Sequence, residues 1–253
     1  MTTGPQLPHG YVLHAFDRVE STNDEARRLA EQGAAAGAVV VAGEQLKGRG
    51  RHGRAWTSPP GNLYASLLLR PEGTLAEVAQ LSLVASLALA EALVGLAPPA
   101  ADVRVKWPND VLVRGAKVAG LLLESAAGSD ERVGWLIIGS GVNIASAPAG
   151  TPYPATALRY EGFPPAAPLD ILGRYLGALD HWLARWRSGG FAAVRPAWLA
   201  LGSGIGDRVR LRLGREEVAG RFLDVTDHGA LLVAQDGDRP RQITAGELLL
   251  VDR

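Results

Sequence analysis

Three separated segments carry side chains capable of chemistry. The first, GRGRHGRAW at residues 48–56, threads Arg49, Arg51 and Arg54 between glycines and closes on Trp56. Glycines open backbone conformations denied to other residues, so peptide N–H groups can converge on an anion. Guanidinium forks suit a phosphate or carboxylate, and the indole offers a flat face to a ring such as adenine. A solvated basic loop has the same composition, so this segment alone does not choose between the readings. The second is KWPND, residues 106–110, where Pro108 restricts Trp107 to an extended conformation and presents Asn109 and Asp110 at a strand-to-turn junction. Taken alone, it is also ordinary turn chemistry. Lys117 opens the apolar run KVAGLLLE, and a hairpin DVLVRGAKVAG turning at Arg114 and Gly115 would hold Lys117 near Lys106 and Asp110. A lysine there can neutralise a carboxylate or phosphate during reaction; a snorkelling surface lysine is the plain alternative. The third, IGSGVNI at 138–144, allows backbone approach to a flat ligand, with Asn143 as a hydrogen-bonding group. It lacks the GxGxxG of a dinucleotide site, and a plain strand end explains it equally well.

Composition removes several classes. Lys+Arg and Asp+Glu each number 26, so no global positive field recruits nucleic acid. Cysteine is absent, which excludes disulfides, thiol nucleophiles and thiolate metal sites. His52 lies in the arginine loop, while His9, His14, His181 and His228 are scattered without metal-ligand spacing, so no protein-ligated metal is expected. Neither a P-loop nor a GxSxG elbow occurs. The N-terminus lacks the features of a secretory signal. Ser82, Ser86 and Glu91 interrupt the apolar stretch 81–96, leaving it shorter than a bilayer span. The expectation is a soluble, cytoplasmic protein with no membrane or DNA partner.

The elements that must position these segments follow from periodicity. Strands are expected at 11–16, 38–43, 62–70, 103–107, 110–113, 117–125 and 134–144. Helices are expected at about 23–32, with Thr22 and Glu25 at capping-box spacing, at 75–95, at 169–190, and at 191–201 interrupted near Pro196. Residues 145–168, rich in Pro, Ala and Gly, read as a long surface loop. From Gly206 onward short alternating strands suggest a small appended barrel. The reading is an α+β catalytic domain at 1–203, with a mixed or antiparallel sheet and flanking helices, followed by a barrel at 204–253.

Taken in order, STNDEA, GRGRHGRAW, NLYASL, KWPNDVLV, KVAGLLLE and GSGVNI, spread over about residues 15–145, resemble the biotin–protein ligases (biotin–acetyl-CoA-carboxylase ligases). The resemblance implies a class II synthetase-like catalytic domain with a C-terminal SH3-like barrel. The few residues before the STN motif leave no room for the family's helix-turn-helix domain, implying the monofunctional class. It further implies formation of biotinyl-5′-AMP from biotin and Mg-ATP, release of pyrophosphate, and transfer of biotin to a lysine of a biotin carboxyl carrier protein domain in a biotin-dependent carboxylase. By the same resemblance Ser21, Thr22, Asn23 and Gln45 hold the ureido ring and its surroundings. Arg49, Gly50 and Arg51 belong to the loop that closes over biotin and adenylate, and Gly120 and Leu121 form the hairpin wall. Arg49, Arg51, Arg54, Trp56, Asn109, Lys117 and Asn143 make up the ATP set. Lys117 contacts the biotin carboxylate and α-phosphate, Arg51 is catalytic with it, and Asp110 orients or deprotonates the acceptor lysine. Mg2+ arrives with ATP, and a weak or ligand-induced homodimer is compatible. Lipoate–protein ligases are the nearest enzymatic alternative; a non-catalytic biotin-sensing regulator is a different class.

Overall fold

A computed structural model describes residues 7–128, 132–214, 216–235 and 239–250. Its larger sheet has seven strands: β1 (Val12–Val19), β2 (Ala38–Gln45), β3 (Leu63–Leu69), β4 (Val103–Lys106), β5 (Asp110–Val113), β6 (Ala116–Ala127) and β7 (Val133–Val142). Their spatial order is β1-β2-β3-β7-β6-β5-β4. Only β1 and β2 run parallel; the other neighbours are antiparallel, giving the mixed sheet expected. Every residue of β3 is buried, as a central strand with an uninterrupted apolar run should be.

Helices α1 (Thr22–Glu31), α2 (Leu75–Ala79), α3 (Leu81–Val94), α4 (Pro168–Gly189) and α5 (Arg195–Leu201) flank this sheet. Leu75–Val94 is long and apolar enough to cross a membrane by length and composition, yet α3 is buried over most of its length and packs against α4. An apolar helix without a polar face belongs in a core. The expected single helix at 75–95 divides at Gln80, whose Oε1 accepts from the Trp186 indole at 2.9 Å.

Two local expectations change. Ser21 occupies the N-cap of α1, but neither it nor Thr22 forms a capping box. The Thr22 hydroxyl turns instead to Gln45 Oε1, 3.0 Å away. A complete capping box forms at Thr74 and Glu77, ahead of α2. Pro196 does not interrupt a helix: it stands in the first turn of α5, where its missing N–H is harmless, after a separate 3-10 turn at Phe191–Ala193.

The β5–β6 hairpin turns at Arg114 (φ 48) and Gly115 (φ 80), the paired positive angles that a two-residue hairpin requires. Beyond the connector at 202–207 lie β8 (Arg208–Leu213), β9 (Glu216–Val225), β10 (Leu231–Ala234), β11 (Arg241–Ile243) and β12 (Glu247–Leu250), an antiparallel sheet in the order β11-β10-β9-β8-β12. Val209, Leu211, Phe222, Leu231, Val233 and Leu248 form its interior, in keeping with the small SH3-like unit expected. This interior is continuous with the core of the larger sheet. Polar contacts fix the junction: Ser203 N donates to Val105 O at 2.8 Å, Trp107 Nε1 to Gly229 O at 3.1 Å, and Arg195 to Val225 O and Asp224. Trp107 is therefore an anchor between the two units, and the Trp107–Pro108 peptide beside it is cis.

Candidate functional site

The three segments singled out by their chemistry meet at one cleft, a cavity of ≈ 210 Å³ at the mouth of the larger sheet. Its shelf is the start of α1. Gln45 Oε1 accepts from Thr22 N at 2.8 Å and from the Thr22 hydroxyl, while its Nε2 donates to Ser58 Oγ at 3.0 Å. The buried Ser66 hydroxyl lies 2.7 Å from Thr22 Oγ1 and 2.6 Å from Asn23 Oδ1. Asn23 Nδ2 donates to Glu124 Oε2 at 2.7 Å. Thr22, Asn23 and Gln45 thus spend much of their hydrogen-bonding capacity on one another's placement. Ser21 lines the cleft with its hydroxyl uncommitted to any cap.

The floor is β6 and β7, and its glycines are explained by neighbouring side chains. A Cβ on Gly139 would stand 2.2 Å from Asn23 Oδ1, and one on Gly141 would stand 2.5 Å from the Trp56 ring. At Gly120 it would meet Lys117 at 3.0 Å and Trp56 at 3.3 Å. The Gly-x-Gly of IGSGVNI therefore makes room for protein side chains that shape the pocket, where the sequence suggested backbone contact with a ligand. Leu121 is buried beside Gly120 in the same wall.

Over this floor lies the arginine loop, folded by Gly50 N donating to Arg54 O at 2.7 Å and by a 3-10 turn at Arg51–Gly53. Its three arginines have different fates. Arg49 binds Asp24 with two hydrogen bonds of 2.7 Å each and holds that carboxyl below the usual aspartate range. Arg54 binds Glu247 of β12 in the same bidentate way, at 2.5 and 2.6 Å. Arg51 donates to Asn109 Oδ1 at 3.2 Å and to Gly246 O at 2.7 Å, and forms no ion pair among the described residues. Burial pulls the Arg51 pKa down while Asp110 and Glu247 oppose that, and an arginine so placed stays charged. Of the three, Arg51 alone has charge to offer a ligand.

At the far wall, Lys117 Nζ lies 2.5 Å from Asp110 Oδ1 and Lys106 Nζ lies 3.1 Å from Asp110 Oδ2. Burial pushes the Asp110 pKa up, but Lys117 and then Lys106 outweigh it, so the carboxyl sits below its ordinary value and is ionised. Lys117 also lies 5.4 Å over the Trp56 ring, and Lys106 lies 5.1 Å over that of Tyr153. Asn109 is held by its Nδ2 donating to Leu121 O. Asn143 Nδ2 donates to Thr156 O at 3.1 Å, but its Oδ1 is buried without a partner, as is Trp56 Nε1. Buried polar atoms left unpaired in a cleft are sites for ligand hydrogen bonds. Among the described residues lining this end of the cleft, Arg51, Arg54, Lys106 and Lys117 outnumber the carboxylates Asp110 and Glu247, a cationic excess suited to bringing two anions together.

All the residues singled out from the sequence line this cleft. The sequence did not reveal Glu247, Gly246, Tyr153, Glu124 or Ser66. Glu247 reads as one more residue of a barrel strand, 193 positions from Arg54. Ser66 did leave a trace, as a polar residue inside the otherwise apolar run of β3. Among the described residues no group of three His, Cys, Asp or Glu side chains is placed to hold a metal ion.

Comparison with known proteins gives consistent results. A family model described as the biotin/lipoate A/B protein ligase family matches residues 15–143, and one described as the biotin protein ligase C terminal domain matches 204–251. The chain is 43% identical over 231 residues to biotin--[acetyl-CoA-carboxylase] ligase of Paracoccus denitrificans, covering 89% of this chain and 95% of that protein. With the corresponding ligase of Mycobacterium tuberculosis it shares 33% identity over 245 residues, 94% of this chain and 88% of the relative. Among solved structures it is similar to a biotin protein ligase from Aquifex aeolicus in complex with biotin and ATP, with a TM-score of 0.77, 30% identity, and coverage of 94% and 97% of the two chains.

Proposed function

Because this chain belongs to the biotin/lipoate A/B protein ligase family and carries that family's biotin-ligase C-terminal domain, we propose that it attaches biotin to a carrier-protein lysine in two ATP-dependent steps. In the first, a biotin carboxylate oxygen attacks the α-phosphorus of ATP and the bond to pyrophosphate breaks, giving biotinyl-5′-AMP. In the second, the amine of a lysine on a biotin carboxyl carrier protein domain attacks the acyl carbon; AMP leaves and the amine loses a proton. The observation that carries this reading is that Arg51, the loop arginine without a carboxylate partner, faces the same cleft as Lys106 and Lys117. Two anions must be held against their repulsion there, and fixed cations lower the cost of that encounter.

In this reading Ser21, with Thr22 and Gln45 behind it, receives the ureido ring. Trp56, which the resemblance assigned to the ATP set, packs against Gly120, Gly141 and Lys117 and instead walls the apolar chain with Leu121, while Asn143 Oδ1 accepts from the nucleotide. Lys117 follows the charge from the biotin carboxylate to the α-phosphate. Asp110, ionised and held by two ammonium groups, is a weak base; its role is to fix the lysines and orient the incoming amine. The described residues suit a Mg2+ carried by the nucleotide phosphates, where it would neutralise charge on the leaving pyrophosphate. The compartment proposed is the cytoplasm.

The test is transfer of labelled biotin to a carrier-domain lysine, with and without ATP, with lipoate run in parallel. ATP-dependent labelling by biotin supports the reading. Pyrophosphate release with lipoate and none with biotin would overturn it in favour of a lipoate ligase.

A further inference from the structure

The carboxylates that hold Arg49 come from the elements that build the cleft's shelf and floor. Asp24 stands on α1, directly after Asn23, and takes both Nη atoms of Arg49 at 2.7 Å. Glu124 stands on β6, with Oε1 3.7 Å from Arg49 Nη2. The same Glu124 carboxylate accepts from Asn23 Nδ2 at 2.7 Å and from Arg27 Nη2 at 3.0 Å. Arg27 Nη1 is also 3.5 Å from Asp24. With the loop seated, two guanidinium groups face two carboxylates. If the loop lifted, Asp24 and Glu124 would share Arg27 alone, and like charges would face each other across a partly shielded gap.

We propose that Asp24 and Glu124 form the latch of the arginine loop: Arg49 docked against them keeps the loop shut over the acyl-adenylate until the carrier lysine arrives. This rests on the ligase reading above and assigns Arg49 a positioning role in place of substrate contact. Its two Nη atoms are already engaged by Asp24, so a ligand would have to displace a bidentate pair to use them. The latch also senses the shelf. Glu124 fixes Asn23 against Ser66 and Gly139, so the conformation that receives ligand is the one that presents Asp24 and Glu124 to the loop. Arg49, Asp24 and Glu124 side chains are 33%, 37% and 24% exposed, which makes the contact weak enough to open and sensitive to salt.

The test uses the whole chain. Enzyme loaded with labelled biotin and ATP is chased with unlabelled biotin, and release of the labelled adenylate is timed. Asp24→Asn and Arg49→Gln should each speed release about fivefold, the scale of one partly exposed ion pair. The double variant should release no faster than Arg49→Gln alone, which already removes the contacts to both carboxylates, and Asp24→Glu should restore retention. Glu25→Gln, which breaks only the 2.9 Å pair with Arg28 on α1, is the control and should retain adenylate normally. Independently of ligand, trypsin should cut within residues 48–54 faster in Asp24→Asn than in the wild type. Additive effects in the double variant, or unchanged release in an enzyme that forms adenylate, would overturn the latch. Faster cleavage of the loop by trypsin in a chain whose wild type makes no adenylate would leave the latch standing and remove the ligase reading.

Discussion

Glu247→Gln tests how firmly the C-terminal sheet closes the cleft. Glu247 accepts two hydrogen bonds from Arg54 and one of 2.7 Å from the Tyr153 hydroxyl, joining β12 to the arginine loop and to the 145–157 segment. Arg54 first, with Tyr153 and Lys106, outweighs burial and lowers the Glu247 pKa from 4.5 to about 2. At 1.36 kcal/mol per pKa unit that drop is worth about 3 kcal/mol. The Arg54 side chain is 44% exposed, so solvent screening reduces the figure to about 2 kcal/mol. A folded-state pKa below the unfolded one stabilises above pH 4.5 and loses that contribution as pH falls from 4.5 towards about 2. The stability difference between wild type and Glu247→Gln should therefore be about 2 kcal/mol at pH 7, or about 4–8 °C in Tm, and should shrink towards zero near pH 2. Urea unfolding of both proteins across this range measures it. A difference below about 0.5 kcal/mol at pH 7, or one that does not change with pH, would refute the reasoning.

Further consequences concern the cleft itself. Lys117→Ala should lower biotin-dependent pyrophosphate release at least about a hundredfold, with a much smaller effect on thermal stability; wild-type release would remove Lys117 from the chemistry. In Arg51→Gly the adenylate should escape, raising labelling of added bystander proteins relative to the carrier; an unchanged ratio would mean that Arg51 does not retain it. Gly141→Ala puts a methyl 2.5 Å from the Trp56 ring and should weaken biotin binding at least about tenfold by displacing the indole, as titration calorimetry would show. Ser66→Ala removes the hydroxyl between Thr22 and Asn23 and should cost about 1–3 kcal/mol in unfolding measurements, with a raised KM for biotin.

The larger features were legible in the sequence because the residues that set them act locally or repeat. AVVVAG and NLYASLLLR read as buried strands, Arg114 and Gly115 as the turn that brings Lys117 to Asp110, and residues 75–95 as a helix, which the fold divides at Gln80. Failures arose where side chains choose between local and distant partners. Thr22 has capping-box spacing with Glu25, yet its hydroxyl is drawn to Gln45 on a neighbouring strand, a pairing no window along the chain contains. The three arginines look equivalent in GRGRHGR, but Asp24, Gly246 and Glu247 differentiate them, and two of those three lie on the other side of the fold. The glycines of IGSGVNI signalled close approach correctly; what approaches is Asn23 and Trp56.

The placement of Gly246 and Glu247 also orders the events of synthesis. Ser21, Gln45, the arginine loop, Lys117 and Asn143 emerge from the ribosome first, and the wall that anchors Arg51 and Arg54 emerges 193 residues after Arg54. At about 5–20 residues per second, the 104 residues from Asn143 to Glu247 take about 5–20 s, an interval in which the shelf and floor exist without their closing wall. A nascent chain at that stage can expose the cleft but cannot tether its loop from the barrel side. The loop is thus held first by Asp24 and Glu124 through Arg49, and from both sides only once β12 is in place.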